Sequence, residues 1–343
     1  MTTEKKVTIY DVASKAGVAI STVSRVLNES PYVAEKTRKS VLKAIRELDF
    51  RPQVSARKLA SKEPQIIAVA VPSFTTPFFN EVLKGVKDEM KKIDLDLVIY
   101  NTGSKNPKQG FKDFLDRGSA DTMIIFSIDI DEEIHKRLQS AQIPVILVGS
   151  AHSDYDYIDM DDYKGGYLAG QHLGEQGFKK IGIIKPSQET KVSFTRIQGF
   201  KDALNEFNLT LEDDLVMTGT SEKHAGFTEE AGFEAIYEFH KKGTIPDAIF
   251  CTNDTQAIGA LNALNKLGIK VPEDIAIMGY DNIKLTKYLE LTSIDQKMYS
   301  IGAKAMEQLV DRINNKDTPK LQKIITPVLV ARNSTNNTKL TND

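Results

Sequence analysis

A small helical head followed by a two-lobed α/β body is the architecture this sequence predicts. Three observations predict it. Residues 8–28, TIYDVASKAGVAISTVSRVLN, read as two short helices joined by a tight turn at Ala16-Gly17-Val18. From Gln65 onward, strand-length apolar runs alternate with helical stretches, the pattern of parallel sheets covered on both faces. The charge changes sign between the two parts. Residues 1–65 carry 13 Lys and Arg against 7 Asp and Glu, and the remainder carries 32 against 40. A basic head on an acidic body points the head toward a polyanion, although a solvated basic segment would read the same way.

At 343 residues, with 41% apolar, the chain has room for two or three packed domains. A single cysteine, Cys251, excludes an internal disulfide framework and fits a reducing compartment. The start, MTTEKKVTIYDV, lacks the apolar stretch of a signal peptide, and runs such as Ile66–Pro72 are too short to cross a membrane. A reducing cytoplasm is the expected location.

In the head, Thr8 and Asp11 form a capping-box-like start to the first helix. The second helix covers about Ile20–Asn28. A third covers Glu35–Leu48, with Val41, Leu42, Ile45 and Leu48 on one face. Val12, Ala16, Val23, Val26 and Leu27 are expected to meet that face. Arg51-Pro52 breaks the pattern, Gln53–Ser61 can form two further helical turns, and Glu63-Pro64 marks a boundary. The domains expected are therefore a headpiece at 1–52, a linker at 53–63, a body at 64–330 and a polar, disordered tail at 331–343.

The body's expected strands are Ile66–Pro72, Leu95–Tyr100, Thr122–Ser127, Val145–Gly149, Lys180–Lys185, Ala248–Thr252 and Ile275–Tyr280. They are too many for one small sheet and divide into two doubly wound lobes. Lobe one takes about 64–162 plus 294–325, and lobe two about 163–293. Ligands of such folds sit beyond the carboxyl ends of strands, here between the lobes.

A helix-turn-helix reader lays its second helix in the major groove of DNA. Ile20, Ser21 and Arg25 would then face base edges, and arginine can donate two parallel hydrogen bonds to guanine. The phosphate set is Thr8, Tyr10, Thr22, Ser24, Asn28, Tyr32 and Thr37. The plainer alternative is a helical hairpin with Arg25 in solvent.

The segment from Asp11-Val12-Ala13 through Ala16-Gly17-Val18 to Thr22-Val23-Ser24-Arg25-Val26-Leu27-Asn28 resembles the opening of the lactose-repressor (LacI-type) family of bacterial transcription regulators. Thr37-Arg38, Arg51-Pro52, Ala56-Arg57-x-Leu59-Ala60, Thr252-Asn253-Asp254, Val271-Pro272-Glu273-Asp274 and Gly279-Tyr280-Asp281-Asn282 continue the resemblance. It spans about Thr8 to Pro327 and implies a periplasmic-binding-protein-like body and a bacterial, nucleoid-associated location. It also implies that Gln53–Ala60 is a hinge helix, paired in the minor groove of a dimer's operator, with Leu59 wedged into the central base step. Without the resemblance, Leu59 reads as linker packing. The chain departs from the family at three helix starts, where Ala19, Ala34 and Gln53 replace serine, serine and asparagine. Each is a weak N-cap, and Ala19 also removes a phosphate contact.

In the body, Phe78, Phe79, Arg196, Asn253, Asp281 and Gln296 fall at strand ends or lobe crossings. Aromatic faces stack on sugar rings, while Arg, Asn, Asp and Gln bond hydroxyls. The resemblance to sugar-binding proteins implies an effector site of these residues. Alternatively, Asn253 and Asp281 cap helices and a phenylalanine belongs to the core. Ribose-type proteins place Asp-Arg after the fourth strand of lobe one, where this chain has Gly149-Ser150. The effector therefore need not be a free pentose, and a disaccharide, a phosphorylated sugar or another small polar molecule stays open.

No Gly-x-Ser-x-Gly elbow, Walker loop or His-Glu-x-x-His is present, so no catalytic reading stands. Histidines 135, 152, 172, 224 and 240 lack metal spacing, so neither metal nor cofactor is expected. His172 and Cys251 read as structural. The expected function is a sequence-specific repressor of a carbohydrate-use operon. It would bind a double-stranded pseudo-palindromic operator as a homodimer, since one reading helix covers only a half-site. A tail with one leucine, Leu340, and no heptads argues against a higher oligomer. One alternative is a global catabolite regulator switched by a phosphorylated carrier protein. Another is a sugar-binding receptor with no DNA role, which would need export. The resemblance leaves the direction of the switch open, since sugar effectors mostly release DNA and purine-type corepressors tighten it.

Overall fold

The structure is a computed structural model that describes residues 7–27, 30–50, 66–93, 95–117, 120–221, 223–315 and 317–337. The chain divides into two compact units, residues 1–65 and 66–343.

In the first unit, α1 (Ile9–Ala16), α2 (Ile20–Leu27) and α3 (Glu35–Glu47) surround a core of Val12, Ala13, Val23, Val26, Val41 and Ala44. The backbone N–H of Thr8 donates to the Asp11 carboxylate at 2.8 Å, which satisfies one free donor at the start of α1. Gly17 ends the helix at φ 68°, a left-handed position that glycine takes without strain. Val18 N–H then donates to Ala13 at 3.1 Å and closes the turn. Leu42, expected in the core, is 42% exposed, and Ala44 takes the inward position. The cause is helical phase: Val41, Ala44, Ile45 and Leu48 share one stripe, and Leu42 lies 100° round from Val41.

Ala34 stands at the N-cap of α3 with no side-chain cap. Serine there would accept from a free backbone N–H of the first turn. Ala34→Ser, alone or with Ala19→Ser, is expected to stabilise the headpiece by about 1 kcal/mol per site. Thermal melts of the full chain would show this as a rise in the headpiece transition; an unchanged or lower midpoint contradicts it.

Lobe one is a parallel six-stranded sheet. Its strands are β1 (Ile66–Val71), β2 (Asp96–Asn101), β3 (Thr122–Phe126), β4 (Val145–Val148), β5 (Asp156–Met160) and β11 (Gln322–Ile325), in the order β11-β5-β4-β3-β1-β2. Helices α4 (Pro77–Met90), α5 (Pro107–Leu115), α6 (Glu132–Ala141) and α11 (Met298–Asn314) cover it. The near-continuous apolar reading of β1, β3 and β4 follows from burial on both faces.

Lobe two has β6 (Ile181–Lys185), β7 (Val216–Thr218), β8 (Ala248–Cys251) and β9 (Ala276–Met278), parallel in the order β7-β6-β8-β9. Helices α7 (Asp162–Glu175), α8 (Lys191–Glu206), α9 (Glu229–Lys242) and α10 (Asp254–Leu267) flank them. An antiparallel pair, β10 (Ser293–Asp295) and β12 (Val328–Val330), adjoins β9 through bridges at Met278–Thr292 and Asp281–Asp295.

Two boundaries differ from expectation. Residues 293–295 belong with lobe two, so lobe one resumes at α11. The chain also returns to lobe two at β12, and its end is not a loose tail through residue 337. The Ser334 hydroxyl donates to the Ile277 carbonyl at 2.6 Å, and Thr335 Oγ1 lies 2.8 Å from His172 Nε2 and 2.7 Å from Thr292 Oγ1. Polar composition suggested solvent, yet these hydroxyls are buried because each has a partner.

Helix pairs in both lobes approach through glycine. A Cβ at Gly166 on α7 would stand 1.9 Å from the Arg196 carbonyl oxygen, and one at Gly199 on α8 would stand 2.0 Å from that of Tyr163. The pairs α9/α10 and α4/α11 repeat the device at Gly232 with Gly259 and at Gly85 with Gly302.

Candidate functional site

The headpiece presents its candidate reading surface on α2. Val23 and Val26 are buried, which turns Ile20, Ser21 and Arg25 outward. Ser21 and Arg25 are four residues apart and so share one face. Ile20 is 40% exposed, an apolar contact left to solvent. Arg25 has no ion pair among the described residues. Of the phosphate set, Tyr10 and Tyr32 are exposed, and Thr22, Ser24 and Thr37 are half-buried. The Thr8 hydroxyl donates to the Asp11 carboxylate at 2.6 Å, so it is engaged within the chain. Arg38 fixes the turn before Tyr32 by donating from Nη2 to the Ser30 carbonyl at 2.5 Å. Asn28, Gln53 and Leu59 lie outside the described residues.

In the body, the carboxyl ends of lobe-two strands and the crossings between lobes bring a polar cluster together. Arg196 of α8 donates from Nε to Asp162 Oδ1 at 2.8 Å and from Nη1 to the Thr252 carbonyl at 2.9 Å. Its guanidinium carbon lies 3.7 Å from the ring centroid of Tyr280. Burial alone would lower the arginine's pKa, but the charges of Asp162, Tyr280 and Asp281 outweigh it and hold the pKa above the usual value. Asp162 opens α7 directly after the first crossing.

Asp281 follows β9 at φ 114°, in the left-handed region that a side chain rarely adopts. Its backbone N–H donates to Ile294 at 2.8 Å, and its Oδ1 accepts from Gln296 Nε2 at 2.6 Å. Burial pushes its carboxyl up to about 7, against the pull of Arg196 and Gln296. Asp254, fully buried, is raised well above the usual carboxylate range by burial and by Asp281. It accepts from Ser293 Oγ at 2.6 Å and from Ile283 N at 2.8 Å.

The structure thus unites Arg196, Asp281 and Gln296 and gives Asn253 and Phe79 other work. Asn253 is the N-cap of α10, its side chain accepting from Gln256 N–H at 2.9 Å, and so plays the capping part. Phe79 is buried in lobe one's core, 6.2 Å from Phe126 between ring centroids. Phe78 meets it edge-on at 5.0 Å and is half-buried, packed against the same core.

Some buried polar atoms of the body are left unsatisfied. Gln296 Oε1, Ser150 Oγ and Thr76 Oγ1 are buried with no hydrogen-bond partner among the described residues. Ser150 follows β4, and Thr76 precedes α4 beyond β1. A buried acceptor or hydroxyl left unpaired is costly unless a ligand or water completes it. Serine and threonine at strand ends are too common for sequence to have singled them out. Cys251 is fully buried and its thiol is pushed up by burial, the inert state of a core cysteine. His135 and His152, unremarkable in linear spacing, stack with ring centroids 4.7 Å apart.

Residues 8–53 match the model of bacterial regulatory proteins of the lacI family, and residues 171–335 match a periplasmic binding protein-like domain. The chain is 35% identical over 333 residues to the HTH-type transcriptional repressor PurR of Vibrio vulnificus, covering 95% of this chain and 98% of that one. It is 34% identical over 333 residues to PurR of Pasteurella multocida, with the same coverage. Among solved structures, a CelR–cellobiose complex matches with TM-score 0.67 and 28% identity, over 96% of this chain and 99% of the other. An Enterococcus faecium LacI family regulator with bound ribose matches with TM-score 0.69 and 28% identity, over 79% and 98%. A lac repressor dimer bound to operator shares the fold with TM-score 0.76 at 24% identity, over 96% and 99%.

Proposed function

We propose that this chain, which belongs to the lacI family of bacterial regulatory proteins, represses a carbohydrate-use operon in the bacterial cytoplasm under control of a sugar-like effector. Its headpiece is that of a DNA-binding transcription regulator. The observation that carries the effector reading is the buried group Arg196, Asp281 and Gln296, with donors, an acceptor carboxyl and an unpaired Gln296 Oε1 at strand ends. That set suits a molecule offering hydroxyls on several sides. Similar structures holding cellobiose and ribose support the class.

The base-reading residues are Ile20, Ser21 and Arg25. A homodimer on a pseudo-palindrome follows from the single reading helix per chain. It is supported by the edge of lobe one, where Val98 and Ile99 of strand β2 are exposed beside a groove of about 530 Å³ lined by α4 and by Leu285. An apolar, unpaired edge strand calls for a cover. No helix among the described residues is long and apolar enough to cross a membrane.

Operator selection from random duplex DNA tests the reading. The selected sequence is expected to be a two-fold repeat. Arg25→Ala should weaken binding to it about tenfold to a hundredfold, the worth of one bidentate base contact, while binding to random duplex changes little. Equal loss on both DNAs would assign Arg25 to phosphate instead, and no selected sequence at all would remove the repressor reading.

A further inference from the structure

His135 lies on α6, and His152 and Asp154 lie in the connection from β4 to β5. The fold brings them together on lobe one. His135 Nε2 is 3.4 Å from Asp154 Oδ2, and one ligand atom from each of the three residues lies within 4.8 Å of the others. The Tyr155 hydroxyl is 2.9 Å from His135 Nδ1 and donates to the His135 carbonyl at 3.5 Å. His135 is thus engaged by the phenol at Nδ1 and faces a carboxylate oxygen with Nε2. A metal ion placed there would engage Nε2, the carboxylate and the stacked His152 together. The neighbouring cation, Lys320, is spent on the Ser153 carbonyl at 3.1 Å.

We propose that His135, His152 and Asp154 form a binding site for a divalent transition-metal ion of the zinc type, with the Tyr155 hydroxyl orienting His135. Two imidazoles and one carboxylate suit zinc and disfavour magnesium or calcium, which prefer all-oxygen ligands. Zinc bonds of about 2.0–2.2 Å place ligand atoms about 3.3 Å apart, so the three must draw in from their present spread. The site permits this. The His135 side chain is 14% exposed and fixed by Tyr155, whereas that of Asp154 is 54% exposed and sits in a turn. His152 Nδ1 accepts from the Asp154 backbone N–H at 3.2 Å, one long hydrogen bond to exchange if that nitrogen is the ligand. The bound ion would tie α6 to the connection 149–155. These are the segments that follow β3 and β4 in lobe one. Neither belongs to the headpiece or to the Arg196 group, so the site stands or falls apart from the effector reading.

The test is titration of metal-free, full-length protein with Zn²⁺ against a chromophoric chelator, and with Co²⁺ followed by absorption. One equivalent per chain is expected, with Co²⁺ d–d bands and no thiolate charge-transfer band. His152→Gln and Asp154→Asn should each weaken binding at least tenfold with circular dichroism unchanged, and Tyr155→Phe should weaken it less. Absence of binding, equal affinity for Mg²⁺, a thiolate band implicating Cys251, or undiminished binding in both variants would each overturn the proposal.

Discussion

Gly166→Ala is expected to destabilise the effector unit by about 3 kcal/mol or more, the upper range for overpacking a tight contact. The added Cβ would stand 1.9 Å from the carbonyl oxygen of Arg196, a backbone atom of α8 that cannot rotate away. The helices must separate, and α7 and α8 cover one face of the lobe-two sheet through Ala169, Leu173, Phe200 and Leu204. Calorimetry should therefore show a fall in the main transition of roughly 6–12 °C. The displaced backbone is that of the arginine in the candidate effector site, so effector affinity should fall even where the variant folds. Gly243→Ala is the control. It has φ 66° but open space around its Cβ, and should cost only about 1 kcal/mol from conformation. Equal losses in the two variants would mean that the α7/α8 approach is less tight than the distance implies.

Asp281→Asn is expected to change how stability depends on pH. The Asp281 carboxyl, pushed up to about 7 by burial, lies above the value near 3.9 of an unfolded aspartate. Between those values the folded protein holds a proton that the unfolded chain has lost. The stability from that proton is full below about pH 4 and is lost as pH rises through about 7. Asparagine carries no such titration and can still accept from Gln296. Relative to wild type, the variant should therefore gain about 2–3 kcal/mol between pH 5 and pH 8, read from urea unfolding at each pH. A difference that does not vary with pH would contradict the buried, proton-holding carboxyl. Sugar hydroxyls donating to the ionised form would also make effector binding weaker at pH 5 than at pH 8 in wild type alone.

The helical head and the central strands were legible because their signals are local. Gly17, the Thr8–Asp11 pair and the valine spacing fix three helices, and doubly buried strands such as IIAVAV announce themselves by composition. The strands that escaped are short and polar on one side. DYIDM (β5) pairs on one side with β11 and VMT (β7) with β6, both distant in sequence, and Asp156 of β5 is buried because Arg312 answers it at 3.0 Å together with the Gln308 amide and the Leu321 N–H. The polar cluster of the body was half legible. Arg196, Asp281 and Gln296 could be placed by their position after strands, whereas Asn253 and Phe79 have capping and core uses that spacing alone does not distinguish from binding. Asp162 and the His135–His152 pair depended on tertiary approach, and nothing local marks it.

The central claim is that a small polar ligand at Arg196, Asp281 and Gln296 controls DNA binding by the headpiece. A ligand can shift that equilibrium only by its differential affinity for the two states. The direct measurement is fluorescence anisotropy of the selected operator, titrated with sugars, sugar phosphates and nucleobases, for wild type and Asp281→Asn side by side. One ligand class should change wild-type operator affinity at least fivefold, within the usual coupling range, and leave the variant's affinity unchanged. An equal shift in both proteins, or no shift from any class, would contradict the claim.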